Sequence, residues 1–273
     1  MTSIPLSVPQ KEIWTEWLAW SDPQHLNIGG YAELKGAIDQ SSLQQSLELL
    51  VSENEALRLI PNISGYQQLL QSYLPKFEYV DLTSNSNPEQ ACMDWQQKWM
   101  SCEFDLRTDA PVRYALLKKA KDEYYLVIQA MHTAMDGWSL SITPRKWADC
   151  YQRVLSNNVQ LSPNKIDYLQ FVKDSNEYLE GRIFQSDEAY WKESFSALPD
   201  PLFFERYGQP SNKTGELAKA YISKHHIQSY LGDAISRFAK LNQSTPFQIY
   251  IALIAIYFLK HRTYQSSPLA FQI

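Results

Sequence analysis

The sequence predicts an α/β fold on three observations. Two apolar strands are joined by a short charged turn. Helical periodicity flanks them on both sides, and the stretch QAMHTAMDGWS (residues 129–139) switches from period two to period 3.6. With 273 residues, 44% of them hydrophobic, the chain can bury a sizeable core and stands between one large and two small domains.

The elements follow in order. Pro9 suits a first helical turn, and Ile13, Trp14, Trp17 and Leu18 recur at helical spacing, which predicts an amphipathic opening helix. Tyr31 to Lys35 alternates as a strand. Gly36 and the polar run after it break that strand and supply an N-cap for a helix marked by Leu43, Leu47, Leu50 and Val51, ending near Asn54. Val112 to Lys119 and Tyr124 to Met131 read as a hairpin pointing at His132. After Gly137, Leu140, Trp147, Tyr151 and Leu155 mark a helix in which Pro144 removes a hydrogen bond and predicts a kink. A short helix starts at Asp187, a strand covers Ala220 to Ile227, and two helices cover Gln228 to Leu241 and Pro246 to Arg262. The Pro- and Gly-rich stretch LPDPLFFERYGQPSNKTGE and the polar SNNVQLSPN are the candidate boundary segments. There is no internal repeat and no low-complexity tract.

Several function classes fall away. A net charge of −5 with no basic run leaves no electrostatic footprint for nucleic acid. Cys92, Cys102 and Cys150 form an odd set without C-x-x-C spacing, so neither a disulfide framework nor a metal site is expected, and the expected compartment is cytoplasmic. The N-terminus has no basic and apolar leader pattern. The apolar run from Ile249 to Leu259 is too short to span a bilayer and reads as a buried helix, so no membrane is expected.

The candidate chemistry sits at the strand-to-helix junction. A helix N-terminus presents unpaired N–H groups and a positive dipole end, and Gly137 lets a substrate backbone approach. His132, with an ordinary pKa of about 6.5, suits a base that takes a proton from an attacking amine or hydroxyl. The sequence has no G-x-S-x-G elbow and no Cys–His pair, so acyl transfer here requires an already activated acyl group. The N–H groups near Gly137 and Trp138 are candidate oxyanion donors, and Ser139 is read as a helix cap. His225-His226 lies in an expected strand, where neighbouring side chains diverge, and has no Asp-Gly at the matching spacing. Trp14, Trp17, Trp138 and Trp147 read as core.

MHTAMDGWS resembles the H-H-x-x-x-D-G-[WF]-S motif of condensation domains from nonribosomal peptide synthetases, with His132 on the second histidine and Asp136-Gly137 on the Asp-Gly. LSVPQKEIW is similar to the family's opening S-x-A-Q-x-x-[LI]-W. YAELKGAIDQSSLQQSLELLVSENEALR is similar to its strand, G-x-[LI]-D and R-H-E-x-L-R helix. APVRYALL, IDYLQF and DEAYWKESF follow in family order. Two residues depart from the pattern: Met131 replaces the first histidine, and Asn54 stands where R-H-E has its histidine.

The resemblance implies a chloramphenicol acetyltransferase-like fold of two α/β lobes in a V, with the histidine motif facing a tunnel at their junction. The first lobe (residues 1–174) is expected complete and the second (175–273) partial. His132 is implied as the catalytic residue. Asp136 is implied to be structural and paired with an arginine, for which Arg58 and Arg113 are the candidates. The implied reaction is attack of an acceptor amine on a donor thioester. No cofactor is bound directly, since substrates arrive on the phosphopantetheine arms of carrier-protein domains. The remaining half of the domain is a further implied partner. Alternatives are a non-catalytic fragment or carrier-docking module, a free-standing acyltransferase using coenzyme A or an alcohol acceptor, and an epimerisation domain.

Overall fold

Ser7 opens the first helix, α1 (Val8–Ala19), with a reciprocal cap: its side chain accepts the Gln10 amide and the Gln10 side chain accepts the Ser7 amide. This computed structural model describes residues 3–20, 23–71, 73–105, 109–160, 168–197 and 225–261. The chain divides into two units, Met1–Ser186 and Asp187–Ile273.

The first unit is built on a four-stranded sheet. Its strands are β2 (Asn27–Lys35), β5 (Lys76–Asp81), β6 (Val112–Ala120) and β7 (Glu123–Met131), in the order β2-β7-β6-β5. β6 and β7 form the expected antiparallel hairpin, turning at Asp122 with φ 57°. β2 pairs antiparallel with β7 and β5 parallel with β6. β1 (Ile4–Pro5), β3 (Leu59–Pro61) and β4 (Tyr66–Leu69) form a small second sheet in the order β1-β4-β3.

β6 and β7 read as nearly continuous apolar runs because both faces of the sheet are covered. On one face, Tyr114, Leu116 and Leu126 share a cluster with Leu43, Leu47 and Val51 of α2 (Gln40–Ser52) and with Trp147, Cys150 and Val154 of α4 (Gly137–Leu155). On the other, Ala115, Leu117, Tyr125 and Val127 meet Cys92 and Trp99 of α3 (Pro88–Met100). Fully burying each such leucine or valine contributes roughly 1.5–3 kcal/mol. Polar contacts lock α4 onto α2: Trp147 Nε1 donates to Ser46 Oγ at 2.8 Å, and Arg153 donates through Nη1 and Nη2 to the two Glu53 oxygens at 3.1 and 2.8 Å. The second half of α4 is thereby fixed on α2.

Several elements depart from expectation. β2 starts at Asn27 rather than Tyr31. Gly29 and Gly30 hide the alternation, and Gly29 is required because a Cβ there would lie 2.2 Å from the Ile128 carbonyl oxygen. β3, β4, β5 and α3 are additional elements. α4 runs unbroken through Pro144. The helix expected from Asp187 begins earlier, as α6 (Arg182–Ser194), and α5 (Tyr168–Glu180) precedes it.

α5 clasps the start of α1. Asn176 Nδ2 donates to the Leu6 carbonyl at 3.1 Å, and the Val8 amide donates to Ser175 Oγ at 3.2 Å. Within the second unit, α7 (Ser229–Leu241) and α8 (Pro246–His261) follow as expected. The expected strand at Ala220 to Ile227 lies mostly outside the described residues, and residues 225–227 carry no regular structure. α8 is apolar on all sides, and Leu253, Ile254, Ile256 and Tyr257 stand about half exposed rather than buried as expected. No helix among the described residues is long and apolar enough to cross a membrane.

Candidate functional site

β7 delivers its last residue, Met131, into the core and then turns. The Met131 amide donates to the Pro111 carbonyl at 2.9 Å, and the Ala134 amide closes the turn onto the Met131 carbonyl at 2.9 Å. His132 occupies the second position of this turn, and its amide donates to the Leu26 carbonyl at 3.2 Å. The short turn just before β2 thus anchors the histidine. Its neighbours in a narrow cleft are Trp17, Leu26, Asn27, Glu103 and Phe104, with free room of about 10 Å³, enough for no more than a water. Among the described residues no group hydrogen-bonds to the His132 ring, and the residue is half-buried.

Met131 stands where the resemblance has a first histidine, and it is 2% exposed. It packs with Phe104, Trp14 and Trp17. The position points into an apolar, aromatic pocket that a thioether fills well.

Asp136 is the N-cap of α4. Its Oδ1 accepts the Ser139 amide at 2.7 Å and the Ser139 hydroxyl at 2.6 Å. These two bonds, with the charge of His132 as a lesser contributor, hold the Asp136 carboxyl below its ordinary range. This corrects two expectations. Ser139 does not cap the helix but is held by the cap, and neither candidate arginine reaches Asp136. Arg58 donates to the Leu70 carbonyl at 2.9 Å. Arg113 donates to Gln129 Oε1 at 2.8 Å and to the Cys102 carbonyl, and its guanidinium stacks 4.0 Å from the Phe104 ring centre. The physical reason is location: Asp136 is exposed, where a helix cap suffices to stabilise the charge, whereas Arg113 is held among the end of α3 and the sheet.

The cap occupies the Ser139 amide and leaves those of Gly137 and Trp138 as the first-turn donors without an intrahelical acceptor. A Cβ at Gly137 would meet nothing within 4 Å, so the glycine is not required by packing. Trp138 is 76% exposed and is not core; Trp147 is, at 7%. His225 and His226 are both exposed.

Sequence reasoning missed the polar residues that hold this turn. Gln129, fully buried, donates to the Met100 and Cys102 carbonyls, both at 3.1 Å, and Asn27 donates to the same two carbonyls at 3.0 Å. Together with Arg113 they fix the segment that carries Glu103 and Phe104 to the cleft. Gln10 Nε2 donates to the Thr133 carbonyl at 3.1 Å. The signal for Gln10 was present as the S-x-x-Q spacing of a capping box at residues 7–10.

A second cavity, about 130 Å³, lies between β2, α2 and α4. Its lining includes Gly30, Leu50, Leu126, Ile128, Leu140 and Trp147 and is predominantly apolar. Among the described residues there is no cluster of His, Cys, Asp and Glu that would hold a metal ion.

A family model described as "Condensation domain" matches residues 1–267. Among curated proteins, a linear gramicidin synthase of Brevibacillus parabrevis is 26% identical over 88% of this chain and 3% of its own length. Malpinin synthetase of Mortierella alpina is 29% identical over 72% of this chain and 3% of its own length. The chain therefore spans a small part of these relatives. Among solved structures, the starter condensation domain of rhizomide synthetase, as a variant in complex with C8-CoA, matches with TM-score 0.67 at 24% identity. That match covers 74% of this chain and 47% of the other. The first condensation domain of the calcium-dependent antibiotic synthetase, in complex with a substrate analogue, matches with TM-score 0.64 at 20% identity, covering 74% and 49%.

Proposed function

This chain belongs to the condensation-domain family and shares its chloramphenicol acetyltransferase-like fold. From that premise we propose that it contributes the histidine-bearing lobe of an amide-forming acyltransferase of nonribosomal peptide synthesis. The donor is an aminoacyl or peptidyl thioester on one carrier-protein domain, and the acceptor is an amine on another. Each is presented on a phosphopantetheine arm, so the acyl group arrives activated and no protein nucleophile is needed.

The observation that carries this reading is His132. It sits in the turn after β7 and lines the cleft, with its ring unengaged and the α4 N-terminus five residues on. The imidazole accepts the proton of the attacking amine. The N–H groups of Gly137 and Trp138 are the donors proposed for the developing oxyanion. Attack forms the C–N bond, and collapse of the tetrahedral species breaks the C–S bond, the departing sulfur taking the proton from His132 to leave as the carrier thiol. The free cysteines fit the reducing, cytoplasmic setting proposed for this assembly.

The test is mass-spectrometric detection of amide product from two loaded carrier proteins. The chain is assayed alone and with the C-terminal half of a related condensation domain supplied, since the match covers 47% and 49% of the two solved relatives. Product in the complemented reaction is expected. Carrier binding without product under complementation would favour a docking module.

The apolar cavity beside α4 favours a second reading, an acyl-coenzyme A donor, which the C8-CoA complex of the rhizomide synthetase domain also suggests. Saturable binding of octanoyl-CoA by calorimetry, with transfer to an amine, would decide for it.

A further inference from the structure

We propose that the buried amide pair Gln10–Gln67 is the positioning device of the His132 turn. Gln10 and Gln67 are 3% and 1% exposed, and Thr133 is 4% exposed. Every hydrogen-bonding place on the Gln10 amide is filled. Its Oε1 accepts from the Ser7 amide at 3.0 Å and from Gln67 Nε2 at 2.9 Å, and its Nε2 donates to Gln67 Oε1 at 2.9 Å and to the Thr133 carbonyl at 3.1 Å. The second Gln67 donor goes to the Pro5 carbonyl at 3.0 Å. Gln10 is 57 residues from Gln67 in sequence and 123 from Thr133, so three distant segments meet in one buried network.

The geometry makes this more than packing. On the upstream side, His132 is held by its own amide on the Leu26 carbonyl. On the downstream side, the adjoining residue is anchored through the Thr133 carbonyl on Gln10. Thr133 Oγ1 is buried without a partner, so the side chain offers no substitute hold. Releasing that carbonyl leaves the Thr133–Ala134 peptide held only by the Ala134 amide on the Met131 carbonyl, which loosens the turn that carries the imidazole. Gln10 and Gln67 touch no reacting atom; they act through the turn. A displacement of about 1 Å at a reacting group lowers a rate by as much as 10²-fold.

This inference rests on the proposed role of His132, and its test separates the two. Gln10→Leu, Gln67→Leu, the double variant and Asn176→Ala are made in the 273-residue chain. Asn176 clasps the same helix through Leu6 without contacting the turn, and so controls for loosening of α1. Amide hydrogen exchange is followed at His132 and Ala134, along with the NMR signal of the His132 ring against His25 as an internal reference.

Each leucine variant is expected to speed exchange at the turn at least 10-fold and to shift the His132 ring signal. The double variant should do no more than the stronger single. Residues 114–117 in β6 should stay protected, and Asn176→Ala should leave the turn protected. If a leucine variant does not fold, Gln10→Glu keeps the shape and the Ser7 contact while turning both donors into acceptors, and the same result is expected. A turn still protected in these variants, or equal loss in β6 or in Asn176→Ala, overturns the proposal. In the complemented condensation assay, kcat should fall about 10-fold or more with KM within about twofold. Loss of protection at full kcat would sustain the hold on the turn and overturn the role of His132.

Discussion

The carboxylate of Asp136 accepts both the amide and the hydroxyl of Ser139, at 2.7 and 2.6 Å, and so closes the first turn of the helix that follows His132. An exposed carboxylate held this way stabilises a helix end rather than forming half of a buried ion pair. Asp136→Ala should therefore cost about 0.5–2 kcal/mol, and Asp136→Asn only a fraction of that, because asparagine caps nearly as well. The carboxyl is held below its ordinary value in the folded chain. Its contribution is thus fully present above the unfolded value of about 3.9 and is lost as pH falls through the folded value. Thermal melts of wild type and Asp136→Ala should differ most near pH 7 and converge below about pH 4.

Met131 predicts a result opposite to motif restoration. Met131→His would recreate a literal His-His pair, yet it places an imidazole among the rings of Phe104, Trp14 and Trp17, where the Trp14 N–H is already committed to the Asn62 carbonyl. An unsatisfied buried polar group costs about 1–3 kcal/mol. Met131→Leu, a volume-conserving change, should cost less than about 1.5 kcal/mol. Urea unfolding of the two variants measures the difference.

The two glycines of β2 separate close approach from open space. Gly29→Ala drives a methyl group to 2.2 Å from the Ile128 carbonyl oxygen, so the edge strand must shift; Gly30→Ala meets nothing within 4 Å. Overpacking of the first kind costs typically about 1–3 kcal/mol. The same shift should loosen the Leu26–His132 hydrogen bond, which lies just before β2, and exchange at the His132 amide should rise in Gly29→Ala alone.

The legible parts of the molecule were those written in local periodicity. The β6–β7 hairpin and α1, α2, α4, α7 and α8 each carry an apolar pattern with a cap or a turn nearby, and His132 sits where the period switches. β3 and β4 are too short to show alternation, and β5 gains its place only by parallel pairing with β6, a non-local contact. α3 does carry a local start signal, Asn87 as cap followed by Pro88, but its apolar face is sparse along a largely polar helix. The arginine assignments failed for a different reason. Arg113 is claimed by Gln129 and by the Cys102 carbonyl, partners that only folding brings together. Gln10 and Gln67 were invisible as a pair because no local rule links residues so far apart.

The central claim, that His132 takes the proton from the acceptor amine, is tested most directly by His132→Ala in the complemented carrier-to-carrier assay, with melting followed in parallel. The variant should lose at least about 10²-fold in kcat, the lower range for a missing acid–base group, while its Tm stays close to wild type. A variant that forms amide at the wild-type rate would contradict the account.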